Sequence, residues 1–338
     1  MENKARRVTA EILYDGSEIG LSGAYCSMSY TDNAEGRSDE VLLSFEDSTR
    51  DMLYGKKMIL EKGHDIDITL TFRDWEYPGD HKRYHVGKFT VDDISFSGAA
   101  LTCEVRGISI PADEGFNNIC HSQTWSNITL QQLCREFMGR YGMDMIYWYG
   151  DDPKIDTLEQ SNETDSSFLM KTCALYGMYL KVYKVGLVVF DKKVYEPRPA
   201  KAGFGIKDIE QWKWNTTLAG TYTGCNVKYT SPGSNKKEAK VIDVTVGTAP
   251  RILYINRNVK DEAEAEKIAR EAVNAANEKA VTFSGTVMPN ERMYATDNFL
   301  ISGLGRVDGK YFATSVTHSI NEGKYSCQLT GYRIFDRL

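Results

Sequence analysis

The sequence predicts a mainly β chain with an α+β insert: two related β-barrel domains flanking a small α+β middle domain. Three observations carry this reading. Apolar–polar alternation of period two dominates both ends of the chain, two helical apolar stripes and a hairpin occupy the middle, and a segment beginning at Gly87 recurs at Gly309. Of the 338 residues 41% are apolar and 26% charged, as in a globular protein. The 20 Tyr and 28 Gly against 8 Pro suit strands and tight turns.

The first domain, residues 1–110, reads as short strands. Arg7 to Tyr14 ends at the turn signal Asp15-Gly16, and Cys26-Ser27-Met28-Ser29-Tyr30 alternates. Val41 to Phe45 is a more apolar run, and Ile66 to Phe72 alternates cleanly. Strands at Lys88–Phe96 and Leu101–Arg106 follow. The middle domain, 111–200, opens a helix with the capping-box pair Thr129 and Gln132. Leu130, Leu133, Cys134, Phe137, Met138 and Tyr141 form its buried stripe, and Gly142 ends it. Thr164 opens a second helix that ends at Gly177, and a hairpin turns at Lys184-Val185-Gly186. From 201 to 338 strands return, with a turn at Ser231–Asn235 and an inserted helix at 261–280 whose Ala-rich face suits close packing on a sheet.

The repeat is the most informative feature. Gly87-Lys88-Phe89 and Gly309-Lys310-Tyr311 open parallel templates; Ile94 and Val316 stand seven residues on, and Ser97 and Ser319 ten. Each return strand carries a hydroxyl residue, Cys, then Glu or Gln: Thr102-Cys103-Glu104 and Ser326-Cys327-Gln328. Upstream, Asp65–Ile68 echoes Asp297–Leu300. Two related domains should therefore place Cys103 and Cys327 at equivalent positions.

Chemistry-bearing motifs are sparse. His81 and His85 have helical metal-ligand spacing, but Pro78-Gly79 and Gly87 argue for a loop entering a strand, and no third ligand is near in sequence. Cys120-His121 are neighbours with nothing to make them converge as a catalytic pair, and Asp151-Asp152 before Pro153 reads as a solvated turn. Trp212 and Trp214 share a strand face and are expected in the barrel core rather than stacking a sugar. No phosphate loop, dinucleotide fingerprint or nucleophile elbow occurs, so neither an enzyme nor a cofactor is expected. Seven singly spaced Cys read as reduced thiols. The net charge of −6, 41 basic against 47 acidic residues, disfavours non-specific nucleic-acid binding. No apolar run approaches the ~18 residues of a spanning helix, so no membrane anchor is expected.

In order along the chain, Val8–Gly16, Asp39–Phe45, Lys62–Ile66, Gly87–Asp92, Thr129–Gly142, Gln160–Gly177, Gly309–His318 and Tyr325–Leu329 resemble the late control protein D family. These are the baseplate hub proteins of contractile phage tails and tailocins, related to the hub module of type VI secretion spike proteins. The resemblance implies tail-tube-like barrels and a homotrimer that adapts a sixfold tail tube to a threefold spike. Its partners would be the tube protein, a spike on another polypeptide, other baseplate proteins and a tape-measure protein, with no sequence-specific nucleic acid. It places the protein in a virion or tailocin baseplate assembled in the bacterial cytoplasm. Strand alternation puts Phe89, Val91 and Ile94 in the core and turns Thr90 and Asp92 outward, with a bulge at Asp92-Asp93. Thr90, Asp92, Thr314 and Thr317 are the interface candidates, beside an acidic or neutral channel. The rival readings are a tail-associated cell-wall hydrolase using Cys120, His121 or middle-domain acids, and a peptidoglycan-binding module built on the helix pair.

Overall fold

The computed structural model describes residues 6–18, 25–56, 60–98, 101–109, 115–231, 240–257, 259, 261–288, 293–321 and 324–338. Most of the turn expected at Ser231–Asn235 lies outside them, as do residues 1–5.

The first β unit comprises β1 (Arg7–Tyr14), β2 (Ser17–Glu18), β3 (Tyr25–Asn33), β4 (Glu40–Glu46), β5 (Asp65–Arg73), β6 (His81–Ser97) and β7 (Thr102–Ile108). Asp15 and Gly16 both take positive φ, the two-residue turn that the sequence signals between β1 and β2. Ile66, Ile68, Leu70 and Phe72 point inward from β5 and meet Val41, Leu43 and Phe45 of β4 and Phe89 and Val91 of β6 in one core.

The middle segment contains α1 (Gly115–Asn118), β8 (Cys120–Thr129), α2 (Leu130–Arg140), β9 (Met145–Tyr149), β10 (Lys154–Thr164), α3 (Asp165–Leu175), β11 (Met178–Tyr183), β12 (Gly186–Asp191) and α4 (Lys192–Tyr195). The capping box forms as the sequence requires: Gln132 N–H donates to Thr129 Oγ1 at 3.2 Å, and Thr129 N–H donates to Gln132 Oε1 at 2.9 Å. Gly142 and Gly177 take positive φ at the helix ends. Sequence periodicity does not mark the β8–β10 ladder, whose strands are polar and alternate irregularly, or β9, whose five residues Met145–Tyr149 are a continuous apolar run with no alternation to read.

The second β unit comprises β13 (Ala202–Gly205), β14 (Ile209–Thr216), β15 (Gly224–Ser231), β16 (Lys240–Gly247), β17 (Ile252–Asn256), α5 (Glu262–Asn277), β18 (Val281–Val287), β19 (Asn298–Ser302), β20 (Gly309–Asn321) and β21 (Lys324–Arg333). β15–β17 make a separate sheet whose Cys225, Val227 and Ile242 pack on Ala265, Ile268, Ala269 and Val273 of α5. Asp261 caps α5 by accepting Glu264 N–H at 2.8 Å.

Among the described residues, thirteen strands of both units form one sheet, in the order β14-β18-β21-β20-β3-β4-β7-β6-β5-β1-β2, with β19 and β13 continuing from β20. The two units repeat one ladder. Cys103 pairs with Phe96 and Phe45; Cys327 pairs with His318 and Val287. Each long strand bulges five residues after its template glycine, at Asp92 and at Thr314. A second shared irregularity falls at the start of β3 against β4 and of β14 against β18. Asp65 opposes Thr90 as Asn298 opposes Phe312, so the upstream echo runs Asp65–Ile68 to Asn298–Ile301, one residue later than the sequence alignment. One element departs: β1 is antiparallel to β5, whereas β13 is parallel to β19.

Candidate functional site

The units meet at a buried ionic joint supplied largely by the middle segment. β11 is an apolar strand interrupted by Lys181, which is carried into the seam between the β units. Its Nζ donates to Asp32 at the end of β3 and lies 3.1 Å from Asp39 Oδ1. Asp32 Oδ2 also accepts Ala295 N–H at 2.9 Å, and Asp39 Oδ1 accepts Asn33 N–H at 2.9 Å. Burial pulls the Lys181 ammonium down, but the two carboxylates outweigh it and hold it above its ordinary range. Asp39 is pushed up to about 7: burial raises it, Lys181 opposes, and Asp32 raises it further. One ammonium serves two buried acids, so the trio carries excess negative charge when fully ionised.

A second knot lies beside it. Lys192, fully buried, donates to Glu35 after β3 and to Glu278 after α5 at 2.7 Å, with its Nζ 3.6 Å from the Tyr179 ring centre. Arg337 forks onto Glu196 at 2.7 and 2.6 Å and reaches Glu278 at 2.8 Å, while Tyr332 hydroxyl donates to Glu196 at 2.5 Å. Residues from all three parts of the chain are thus tied together. Nothing in the reading of the sequence singled them out; a lone Lys within Tyr179-Leu180-Lys181-Val182-Tyr183 was the available signal.

The expected interface residues divide. Thr90 Oγ1 accepts from Lys184 at 3.2 Å, against the middle segment, and Thr317 Oγ1 lies 3.0 Å from Thr31 Oγ1 across the β20–β3 seam. Asp92 is exposed at its bulge, 3.5 Å from Arg106, and Thr314 hydroxyl donates to Thr330 carbonyl at 3.1 Å. As the alternation required, Phe89 and Val91 are buried and Ile94 is partly so.

Of the residues weighed for catalysis, Cys120 and His121 do not converge, whereas His121 meets a middle-segment acid. Cys120 and His121 are consecutive strand residues, so their side chains leave opposite faces of β8. His121 Nδ1 instead lies 3.0 Å from Asp165, which also accepts from Arg140 at 2.7 Å, Tyr141 at 2.6 Å and Gln160 at 2.7 Å. Burial raises that carboxyl, but these hydrogen bonds outweigh it and hold it below its ordinary value. His81 and His85 lie at the start of β6, where the loop has already entered its strand. Four residues of strand span roughly 13 Å, too far for one chelate, and His85 Nε2 lies 2.6 Å from Asp67. Trp212 is corrected too: it is 47% exposed, because β14 is a sheet edge, whereas Trp214 packs against the second core.

No family model and no curated protein sequence matches the chain. Solved structures do. A tail protein from Neisseria meningitidis MC58 superposes with TM-score 0.71 at 11% identity, covering 98% of this chain and 97% of that one. The 43 kDa tail protein of prophage MuSo2 from Shewanella oneidensis gives TM-score 0.69 at 14% identity, covering 96% and 98%. The E. coli c3393 protein, a type VI secretion component described as similar to phage T4 tail proteins, gives 0.57 at 10% identity, covering 97% and 78%. The chain has the fold of phage tail proteins. The type VI secretion component shares that mainly β fold.

Proposed function

We propose that this chain is the hub of a contractile-tail baseplate, a homotrimer that adapts a sixfold tube to a threefold spike. The observation that carries the reading is the doubled ladder: one chain holds two copies of a tube-like β unit with matching register and bulges. Three chains then offer six similar units to the tube and three of everything else to the spike. The division into 1–110, 111–200 and 201–338 follows from that role, the first and last parts forming the ring and the middle part bracing it. The work is geometric, with no chemical step. Its partners are tube, spike, other baseplate proteins and a tape-measure protein, met in the host cytoplasm during virion or tailocin assembly. Thr90, Asp92, Thr314 and Thr317 sit at joints between units or between subunits, and the channel surface carries more Asp and Glu than Lys and Arg. Cryo-electron microscopy of assembled particles tests this. Three copies around the tube's distal end support it, whereas six copies, or a position away from the tube axis, overturn it. The hydrolase alternative predicts that Cys120→Ala with His121→Ala abolishes wall degradation by intact particles; the hub reading predicts no change.

A further inference from the structure

A cavity of about 320 Å³ opens between the first β unit and the middle segment. It exists because β6 outruns its neighbour. β7 pairs with β6 only from Thr90 onward, so among the described residues no strand runs on that side of Gly87–Phe89. Across the gap stand the tip of the β11–β12 hairpin and the start of β9. These two lie close together, since a Cβ on Gly186 would sit 2.1 Å from the Met145 carbonyl oxygen. Lys184 at the hairpin tip donates to Asp65 and, at 3.2 Å, to Thr90 Oγ1. That contact ties the two walls together and leaves the space between them unfilled.

The walls are apolar: Val86 and Phe89 from β6, Met145 and Tyr147 from β9, Leu187 and Val188 from β12. Asp39 and Ser109 also line the cavity but are already joined, Ser109 N–H donating to the Asp39 carbonyl at 2.8 Å. The Asp39 carboxyl is turned to Lys181 and to Asn33 N–H. Around the mouth the charges do not cancel. Lys184 is matched by Asp65, and His85 Nε2 lies 2.6 Å from Asp67. Lys88 is exposed and opposes Asp67 in the ladder, yet it makes no ion pair among the described residues. Its ammonium is therefore uncommitted, beside a slot with almost nothing else polar to offer.

We propose that this cavity binds an unbranched acyl carboxylate, with its hydrocarbon chain between β6 and the β9–β12 wall and its carboxylate on Lys88. Small-molecule sites have this character: a concave, mostly apolar space of roughly 300–1,000 Å³ with a few polar groups that fix orientation. Aliphatic side chains predominate in the walls, which suits a hydrocarbon chain. A sugar or a nucleotide would bury hydroxyls and amines there without hydrogen-bond partners. The lone ammonium selects an anionic head, because a charge-assisted hydrogen bond to it has no cationic counterpart. Nothing in this inference depends on the copy number of the chain or on its place in a particle.

Titration calorimetry of the full chain at neutral pH tests it, with hexanoate, octanoate and decanoate below their micelle concentrations and octylammonium as the cationic counterpart. One acid per chain is expected to bind, about fourfold tighter for each added methylene, the equivalent of ~0.8 kcal/mol. Octylammonium is expected to bind about tenfold more weakly than octanoate. Lys88→Gln is expected to weaken octanoate by about tenfold and to bring it level with octylammonium. Tyr147→Ser, which removes part of the apolar wall, is expected to weaken decanoate about fivefold. Lys88 and Tyr147 are both exposed, so circular dichroism should show both variants folded as the parent is. No saturable binding of decanoate, or equal affinity for octanoate and octylammonium, overturns the proposal. So does binding that neither substitution weakens, which would put the acid elsewhere on the molecule.

Discussion

Apart from β1 and β13, the two β units share one ladder and differ in what covers it. The second lies under buried charge, with Lys192, Glu278, Glu196 and Arg337 packed against Tyr332, and its hairpin tip sends Ile320 and Tyr325 into the first unit's core. The first leaves its equivalent tip, around Phe96, in solvent. One strand pattern has therefore been used twice, once closed within the chain and once left open. What distinguishes the two is the middle segment and the β15–α5 insertion, which brace one side of the sheet.

The largest test of that contrast is the joint itself. Lys192→Met takes the ammonium from Glu35 and leaves Glu278 with Arg337 alone, and is expected to cost about 3–5 kcal/mol in chemical denaturation. A change under about 1 kcal/mol would show that the joint does not hold the units.

Equivalent glycines sharpen the comparison. A Cβ at Gly331 would lie 2.3 Å from Phe312 carbonyl oxygen, whereas at Gly107 it would meet Phe89 Cβ and Val41 Cγ1 at 3.0 Å. Backbone cannot give way as side chains can. Gly331→Ala is expected to cost about 3 kcal/mol and Gly107→Ala about 1 kcal/mol; equal losses would show that the units are packed alike.

Asp39 gives a pH signature. Its carboxyl titrates near 7 when folded and near 4 when unfolded, so between those values the folded state binds more protons. Stability from this group is fully present at low pH and falls as pH rises from about 4 to about 7. Asp39→Asn keeps the neutral form throughout and is expected to flatten that slope. An unchanged slope would place the titration elsewhere.

The smallest effect is expected at the open edge. Trp212→Ser removes an exposed side chain from a strand paired on one side, and should change monomer stability by no more than about 0.5 kcal/mol. A loss of several kcal/mol would mean that Trp212 supports the fold of the single chain.

Much of the ladder was legible because strand periodicity and register leave local marks. Gly87 and Gly309, the Cys of each return strand and the bulge at Asp92 all follow from residues within one hairpin. The capped helices at Thr129 and Thr164 were legible for the same reason: a cap is satisfied by neighbours three residues away. Trp212 was misplaced because alternation tells which residues share a face but not whether another strand or solvent lies beyond it.

By itself, then, the sequence determined the strand and helix patterns, their caps and turns, and the presence of two similar hairpins. Tertiary structure alone decided that β3 and β20 pair across 286 residues of chain between Thr31 and Thr317, that Lys181 and Lys192 sit inside rather than outside, and which copy of the shared edge stays open. The reason is range: hydrogen-bonded turns and periodic faces are fixed within about ten residues, whereas a buried ion pair needs partners from distant segments to offset its desolvation.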